Sequence, residues 1–182
     1  MTDEELMQGI RSGDRTSLDS LTQRYWDAIR RFCASYLGDE VLAEDVAQET
    51  FAKLSAAEEH PTGAVRPWLY KVARNRCLDI LRRHQRSPTH NRPIRTGFDA
   101  PRDTSGPQTR ASREERAELL RQIITAMPEE YRSVLVLKHF EGLSREEMAE
   151  ALGITEATVK GRLVRASDHL RDELAKYSRM GP

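Results

Sequence analysis

The sequence predicts an all-α protein: two small helical domains joined by a flexible linker, the C-terminal one a helix-turn-helix. Three observations predict it. Apolar residues recur every three or four positions in both halves, and nowhere do they alternate as in a strand. Three capping boxes, Thr2–Glu5, Ser112–Glu115 and Ser144–Glu147, pair a hydroxyl with a glutamate three residues on and so mark helix starts. Between the halves, residues 84–111 hold Pro88, Pro93, Pro101, Pro107, Gly97 and Gly106 and carry no stripe.

The first helix follows Thr2. The second carries the stripe Leu18, Leu21, Tyr25, Ile29, Phe32 and Tyr36 and ends at Gly38-Asp39. A third holds Leu42, Val46, Thr50, Phe51 and Leu54. Pro61 and Gly63 place a loop at 56–66, and a fourth helix is expected from near Pro67 to about Arg83. After the linker, Leu119, Leu120, Ile123 and Ile124 form the next stripe. Pro128 stands where a helix begins, since its missing N–H is not needed there. That helix is expected to continue through Val134, Leu135, Leu137 and Lys138 to Glu141-Gly142. Ser144 opens a short helix closed by Gly153, and Thr155 caps a last one with the stripe Val159, Leu163, Ala166, Leu170 and Leu174.

Composition narrows the function classes. Of 182 residues, 38% are hydrophobic and 32% charged, which suits small units with much surface. No run of 18 apolar residues exists, so no membrane span is expected. The acidic start Met1-Thr2-Asp3-Glu4-Glu5 is unlike a secretory signal, and the expected location is cytoplasmic. Cys33 and Cys77 lack ligand spacing and read as buried thiols. The zero net charge hides an asymmetry: residues 1–60 hold 6 Lys/Arg against 13 Asp/Glu, residues 61–110 hold 11 against 3. One basic partner and one polyanion would account for it; charge blocks that merely keep surfaces wet are the alternative.

Residues 144–166 carry the sharpest signal, two helices joined by Gly153-Ile154-Thr155. At about 100° per residue, Val159, Leu163, Ala166 and Leu170 share the inner side of the second helix. Ala157, Thr158, Lys160, Gly161, Val164 and Arg165 lie opposite, with Arg162 on the flank. Cations and small residues on one face suit a major groove, and Thr155 with the free N–H groups behind it could hold a phosphate. Ordinary helical bundles can also show this outline.

In the fourth helix Leu69, Val72, Ala73, Cys77 and Ile80 fall inside, and Lys71, Arg74, Asn75, Leu78 and Arg82 outside. Lys and Arg neutralise phosphates, and Asn75 can read a base edge. Trp68 and Tyr70 could brace an unstacked base, while Trp68 fits the core equally well. Arg76 falls on the apolar side and is expected to pair with a carboxylate of its own domain. In the third helix Asp45, Gln48 and Glu49 share an outer face that suits an arginine-rich protein surface or simply water.

Taken together these segments resemble the extracytoplasmic-function (ECF) sigma factors. Ala43 to Phe51 resembles their polymerase-binding motif. Trp68-Leu69-Tyr70-Lys71-Val72-Ala73-Arg74-Asn75, followed by Asp79-Ile80-Leu81-Arg82-Arg83, resembles their promoter-melting and −10 recognition segment. Met127 to Arg132, Glu141 to Ser144, Glu147 to Ala149 and Thr158 to Ala166 resemble their −35 binding domain. The resemblance implies region 2 over residues 1–86, a linker over 87–111 and region 4 over 112–178. It implies that Asp45, Gln48 and Glu49 dock on the clamp helices of the polymerase largest subunit, with the flap region as a second contact. It implies −10 contacts from Trp68, Lys71, Arg74, Asn75, Arg82 and Arg83, the loop before Trp68 and Asn75 capturing a flipped base. It implies −35 contacts from Arg145, Glu156, Thr158, Lys160, Arg162 and Arg165. An anti-sigma partner is a further implied contact. The basic linker, with Arg86, Arg92, Arg95, Arg102 and Arg110 against Asp99 and Asp103, departs from what mimicry of nascent RNA would need. With nothing after Pro182, regulation is expected to come from outside the chain.

Two rival readings remain at this level. A stand-alone helix-turn-helix regulator would use the C-terminal half and leave the acidic helix idle. A nucleic-acid enzyme would need a nucleophile or a metal-binding carboxylate cluster. His60, His84, His90, His139 and His169 show no ligand spacing, so no catalytic residue, cofactor or metal is expected.

Overall fold

The computed structural model describes residues 1–56, 61, 63–86, 119–120, 122–124 and 126–179. The linker 87–111 and the Ser112–Glu115 box lie outside the described residues. Described regular structure is helical throughout: α1 (Asp3–Arg11), α2 (Arg15–Leu37), α3 (Glu40–Ser55) and α4 (Val65–Arg86), then α5 (Glu129–Leu135), a π-helical segment (Val136–Phe140), α6 (Arg145–Leu152) and α7 (Glu156–Arg179).

Local chemistry sets the boundaries. Thr2 and Glu5 form the expected reciprocal cap of α1, and Asp14 caps α2 through the N–H groups of Thr16 and Ser17. Gly38, at φ 60°, ends α2 in the left-handed conformation that glycine enters without steric cost. Asp39 caps α3, Ser144 and Glu147 form the box of α6, and Gly153 at φ 66° closes it. Thr155 Oγ1 accepts from the Thr158 N–H at 3.2 Å to open α7. α1 lies so close to α2 that a Cβ on Gly9 would stand 2.1 Å from Ser17 Oγ.

One expectation is corrected. The helix from Pro128 does not run regularly to Glu141. It changes to π geometry at Val136, where the Glu141 N–H reaches back five residues to the Val136 carbonyl at 3.1 Å. The inserted residue turns Glu141 inward, where it is 9% exposed.

Leu21, Ile29, Phe32 and Leu37 of α2 pack with Val46, Ala47, Phe51 and Leu54 of α3 and with Leu69, Ala73 and Cys77 of α4. The same apolar cluster continues into the C-terminal half through Val136, Leu137, Leu143, Met148, Ala151 and Val159. A smaller cluster of Ile123, Met127, Val134, Leu135 and Ala166 joins α5 to α7. The two halves therefore share a core, and α6 packs against both α4 and α7. Met148 is fully buried at this junction, which stabilises it by roughly 1.5–3 kcal/mol. Both thiols, Cys33 and Cys77, are free and buried, as expected. None of the described helices is long and apolar enough to cross a membrane.

Candidate nucleic-acid and protein interfaces

Three charged faces stand on three helices. On α3 the inward residues are Ala43, Val46, Ala47, Thr50 and Phe51, and the arc between them leaves Asp45, Gln48 and Glu49 exposed. Glu49 has an internal partner: Arg76 Nη2 donates to Glu49 Oε1 at 2.9 Å, and Arg76 Nε lies 2.5 Å from Glu49 Oε2. The hydrogen bond and charge of Glu49 hold the Arg76 guanidinium above its ordinary pKa. This is the carboxylate that Arg76 was expected to find, and it ties α4 to the acidic face.

On α4, Lys71, Asn75, Arg82 and Arg83 are exposed. Arg82 leans on Asp79 at 3.2 Å, a solvent-exposed pair worth at most about 1 kcal/mol. Trp68 is half-buried against the core, between its two expected roles. Tyr70 is corrected: it is 1% exposed, packs edge-on to Phe32, and donates its hydroxyl to Glu141 Oε2 at 2.7 Å, so it cannot brace a base in this conformation. Arg74 is half-buried, with Nε donating to Glu129 Oε1 at 2.9 Å and Nη2 2.7 Å from the same oxygen.

On α7, Val159 and Ala166 are buried, while Glu156, Thr158, Lys160, Val164 and Arg165 are exposed. Arg162 is drawn to the flank, 3.5 Å from Glu130, with its side chain 24% exposed. Arg145 is exposed at the first residue of α6. Ala157, Thr158, Gly161, Arg162, Arg165 and Glu130 line an open hollow on this face. The arrangement offers two cations, a hydroxyl and a small-residue seam to a groove, on a helix held from behind by α5 and α6.

A further polar seam runs between the halves. Tyr36 OH lies 2.6 Å from Ser133 Oγ, and Ser133 Oγ donates to Glu129 Oε1 at 2.6 Å. The Arg132 guanidinium lies over the Tyr36 ring, 5.0 Å from its centroid. Arg66 pairs with Glu147 at 3.2 Å and donates to the Glu141 carbonyl. Burial pushes both phenols well above the ordinary tyrosine range, with the charge of Glu129 adding at Tyr36 and that of Glu141 adding at Tyr70. Burial also raises the Glu141 carboxyl, opposed by the Tyr70 hydroxyl, Arg31 and Arg66. Sequence reasoning missed this seam. Its one visible signal is the four-residue spacing of Arg66, Tyr70 and Arg74, a polar line that meets the expected outward face of α4 at Arg74.

Among the described residues no group of three or more His, Cys, Asp or Glu could hold a metal ion.

The chain is similar to known proteins along most of its length. Residues 21–87 match the Sigma-70 region 2 family, and residues 117–170 match Sigma-70, region 4. The ECF RNA polymerase sigma factor SigM of Bacillus subtilis is 31% identical over 164 residues, 90% of this chain and 96% of that protein. The RNA polymerase sigma-H factor of Pseudomonas aeruginosa is 30% identical, over 91% of this chain and 90% of its own. The ECF RNA polymerase sigma factor SigE of Mycolicibacterium smegmatis is also 30% identical, and the chain spans 66% of its length. In fold the chain resembles CnrH, solved with the cytosolic domain of CnrY, at TM-score 0.69 and 23% identity, over 96% of this chain and 97% of that one. It also resembles RpoE of Bartonella quintana, solved with the anti-sigma factor NepR, at TM-score 0.68 and 20% identity, over 86% and 96%.

Proposed function

The chain belongs to the ECF sigma factors of the sigma-70 family, which direct RNA polymerase to promoters, and from that premise we propose a division of labour among its three charged faces. Residues 1–86 form the unit that grips the core enzyme and the −10 strand, residues 87–111 the tether, and residues 112–178 the −35 unit. Asp45, Gln48 and Glu49 dock on the clamp helices of the largest subunit. The exposed acidic arc of α3 carries this reading, because a regulator built on the helix-turn-helix alone would leave that arc without a task.

At the −10 element, Lys71, Arg74, Arg82 and Arg83 neutralise phosphates of the separated strand, while Asn75 and the exposed edge of Trp68 receive a base taken out of the stack. Extruding a base costs a few kcal/mol, offset by the phosphate contacts and the fit of the pocket. Each strand phosphate neutralised contributes about −0.7 to the slope of log affinity against log salt. At the −35 element, α7 enters the major groove with Glu156, Thr158, Lys160 and Arg165 towards the duplex, Arg162 at its edge, and Arg145 of α6 on the backbone. Behind it, Leu120, Ile124, Leu135, Phe140, Leu170 and Leu174 line an apolar groove of about 370 Å³ suited to the polymerase flap region. An anti-sigma partner, of the kind bound to RpoE of B. quintana, completes the proposal.

The test is capture of core polymerase by the full chain carrying Asp45→Lys and Gln48→Lys. Capture is expected to be lost with the thermal unfolding profile unchanged; normal capture by this variant refutes the docking assignment. Glu49→Lys is the weaker probe, because it also sets a cation against Arg76.

A further inference from the structure

α1 precedes the stretch that matches the Sigma-70 region 2 family, which begins at residue 21, and none of the three charged faces lies on it. The helix is fastened along its whole length. At its start, Arg24 and Tyr25 of α2 donate to the Asp3 carboxylate. In its middle, Leu6, Met7 and Ile10 are buried in the main apolar cluster. At its end, the Ser12 N–H bonds to the Gln8 carbonyl at 3.1 Å and the Gly13 N–H to the Ile10 carbonyl at 3.0 Å, which closes the last turn.

From this closed end Arg11 reaches across to the segment that leads into α4. Its Nη2 donates to the Pro61 carbonyl at 2.6 Å, a contact between residues 50 apart in the chain. Proline has no N–H, so that carbonyl is the one main-chain polar group Pro61 offers. A hydrogen bond from a guanidinium is roughly twice as strong as one between neutral groups. Pro61 is buried, and so is Val65 at the first residue of α4, while Gly63 and Ala64 between them are exposed. The chain entering α4 is therefore held at two points, and Trp68 follows within one turn of the second.

We propose that Arg11 is a positioning residue for the −10 base site: by holding the Pro61 carbonyl it fixes the entry of α4, so that Trp68 and Asn75 present a preformed seat to the extruded base. The inference rests on the assignment of Trp68 and Asn75 made above. A seat that is ordered before the base arrives avoids the ordering cost at the moment of binding. Arg11 itself does not touch the strand. Its loss is therefore felt only where a base fills the seat, whereas the loss of a phosphate contact is felt with or without that base.

The test uses holoenzyme assembled with the full chain and a premelted promoter bubble in which each −10 base in turn is replaced by an abasic sugar. The position whose removal costs the parent most marks the seated base. On the intact bubble Arg11→Ala should bind about tenfold more weakly, the scale of a lost hydrogen bond from a charged donor, and Arg11→Lys should recover most of that loss. On the bubble lacking the seated base, parent and Arg11→Ala should bind alike, within about twofold, as coupling through that base requires. In the free chain, Arg11→Ala should speed hydrogen exchange at the Gly63, Ala64 and Val65 amides. An equal loss on both bubbles, with the salt slope lowered by about 0.7 for one strand phosphate, would make Arg11 a backbone contact and overturn the proposal. Unchanged exchange at the three amides would overturn it as well. Failure of the underlying site reading shows separately, as a parent holoenzyme indifferent to base removal at every −10 position.

Discussion

Glu141 gives the most direct measure of what the seam between the halves is worth. Its carboxylate is buried, accepts the Tyr70 hydroxyl at 2.7 Å, and sits where the π segment turns inward. Burial raises its pKa above the ordinary glutamate value, more than Tyr70, Arg31 and Arg66 lower it. A carboxyl whose folded pKa is raised contributes stability that is fully present below the unfolded pKa and is lost as pH rises through the folded one. At neutral pH the ionised group is thus a net cost. Glu141→Gln keeps an acceptor for Tyr70 and removes the charge, so the expected change at pH 7 lies between nil and about 1 kcal/mol of added stability. Glu141→Ala leaves the buried Tyr70 hydroxyl without its acceptor, a loss of roughly 1–3 kcal/mol. For a chain of this size that is a fall in Tm of about 2–12 °C. Thermal unfolding followed by circular dichroism between pH 4 and 8 reads both variants. The Gln variant's advantage over the parent should grow with pH across the range in which Glu141 ionises. A Gln variant less stable than the Ala variant, or an advantage that shrinks as pH rises, would refute this account.

Two further outcomes follow from the C-terminal half. Arg165→Ala is expected to weaken −35 duplex binding by the holoenzyme by about 1–3 kcal/mol, as for a lost major-groove contact, with permanganate reactivity of a premelted bubble unchanged; equal loss at both elements would count against the assignment of α7. Gly153→Ala forces a side chain into φ 66° with open space around it, so the cost is backbone strain of about 1–2 kcal/mol; a Tm equal to that of the parent would show that the turn can relax.

The helix caps were legible in the sequence because a cap is a local bargain. Thr2 with Glu5 and Ser144 with Glu147 need only a spacing of three residues, and Gly38 and Gly153 need only the freedom to reach positive φ. The exposed arcs of α3 and α7 were legible for the same reason, since helical period alone separates Asp45 and Gln48 from Val46 and Thr50, and Lys160 from Val159. Arg76 marks the limit of such reasoning. Its apolar setting announced that a carboxylate must meet it, but not that the carboxylate would be Glu49.

The sequence by itself determined the caps of α1 and α6, the glycine stops of α2 and α6 and the exposed arcs of α3 and α7, because these follow from contacts three or four residues apart. The tertiary structure alone decided what α4 does with its second side. Tyr70 and Arg74 look outward or ambiguous on a helical wheel, yet they meet Glu141 and Glu129, 71 and 55 residues further along the chain. No periodicity encodes such a pairing. It arises when two apolar surfaces close on each other through Met148 and Leu137 and carry the polar groups at their margins into contact.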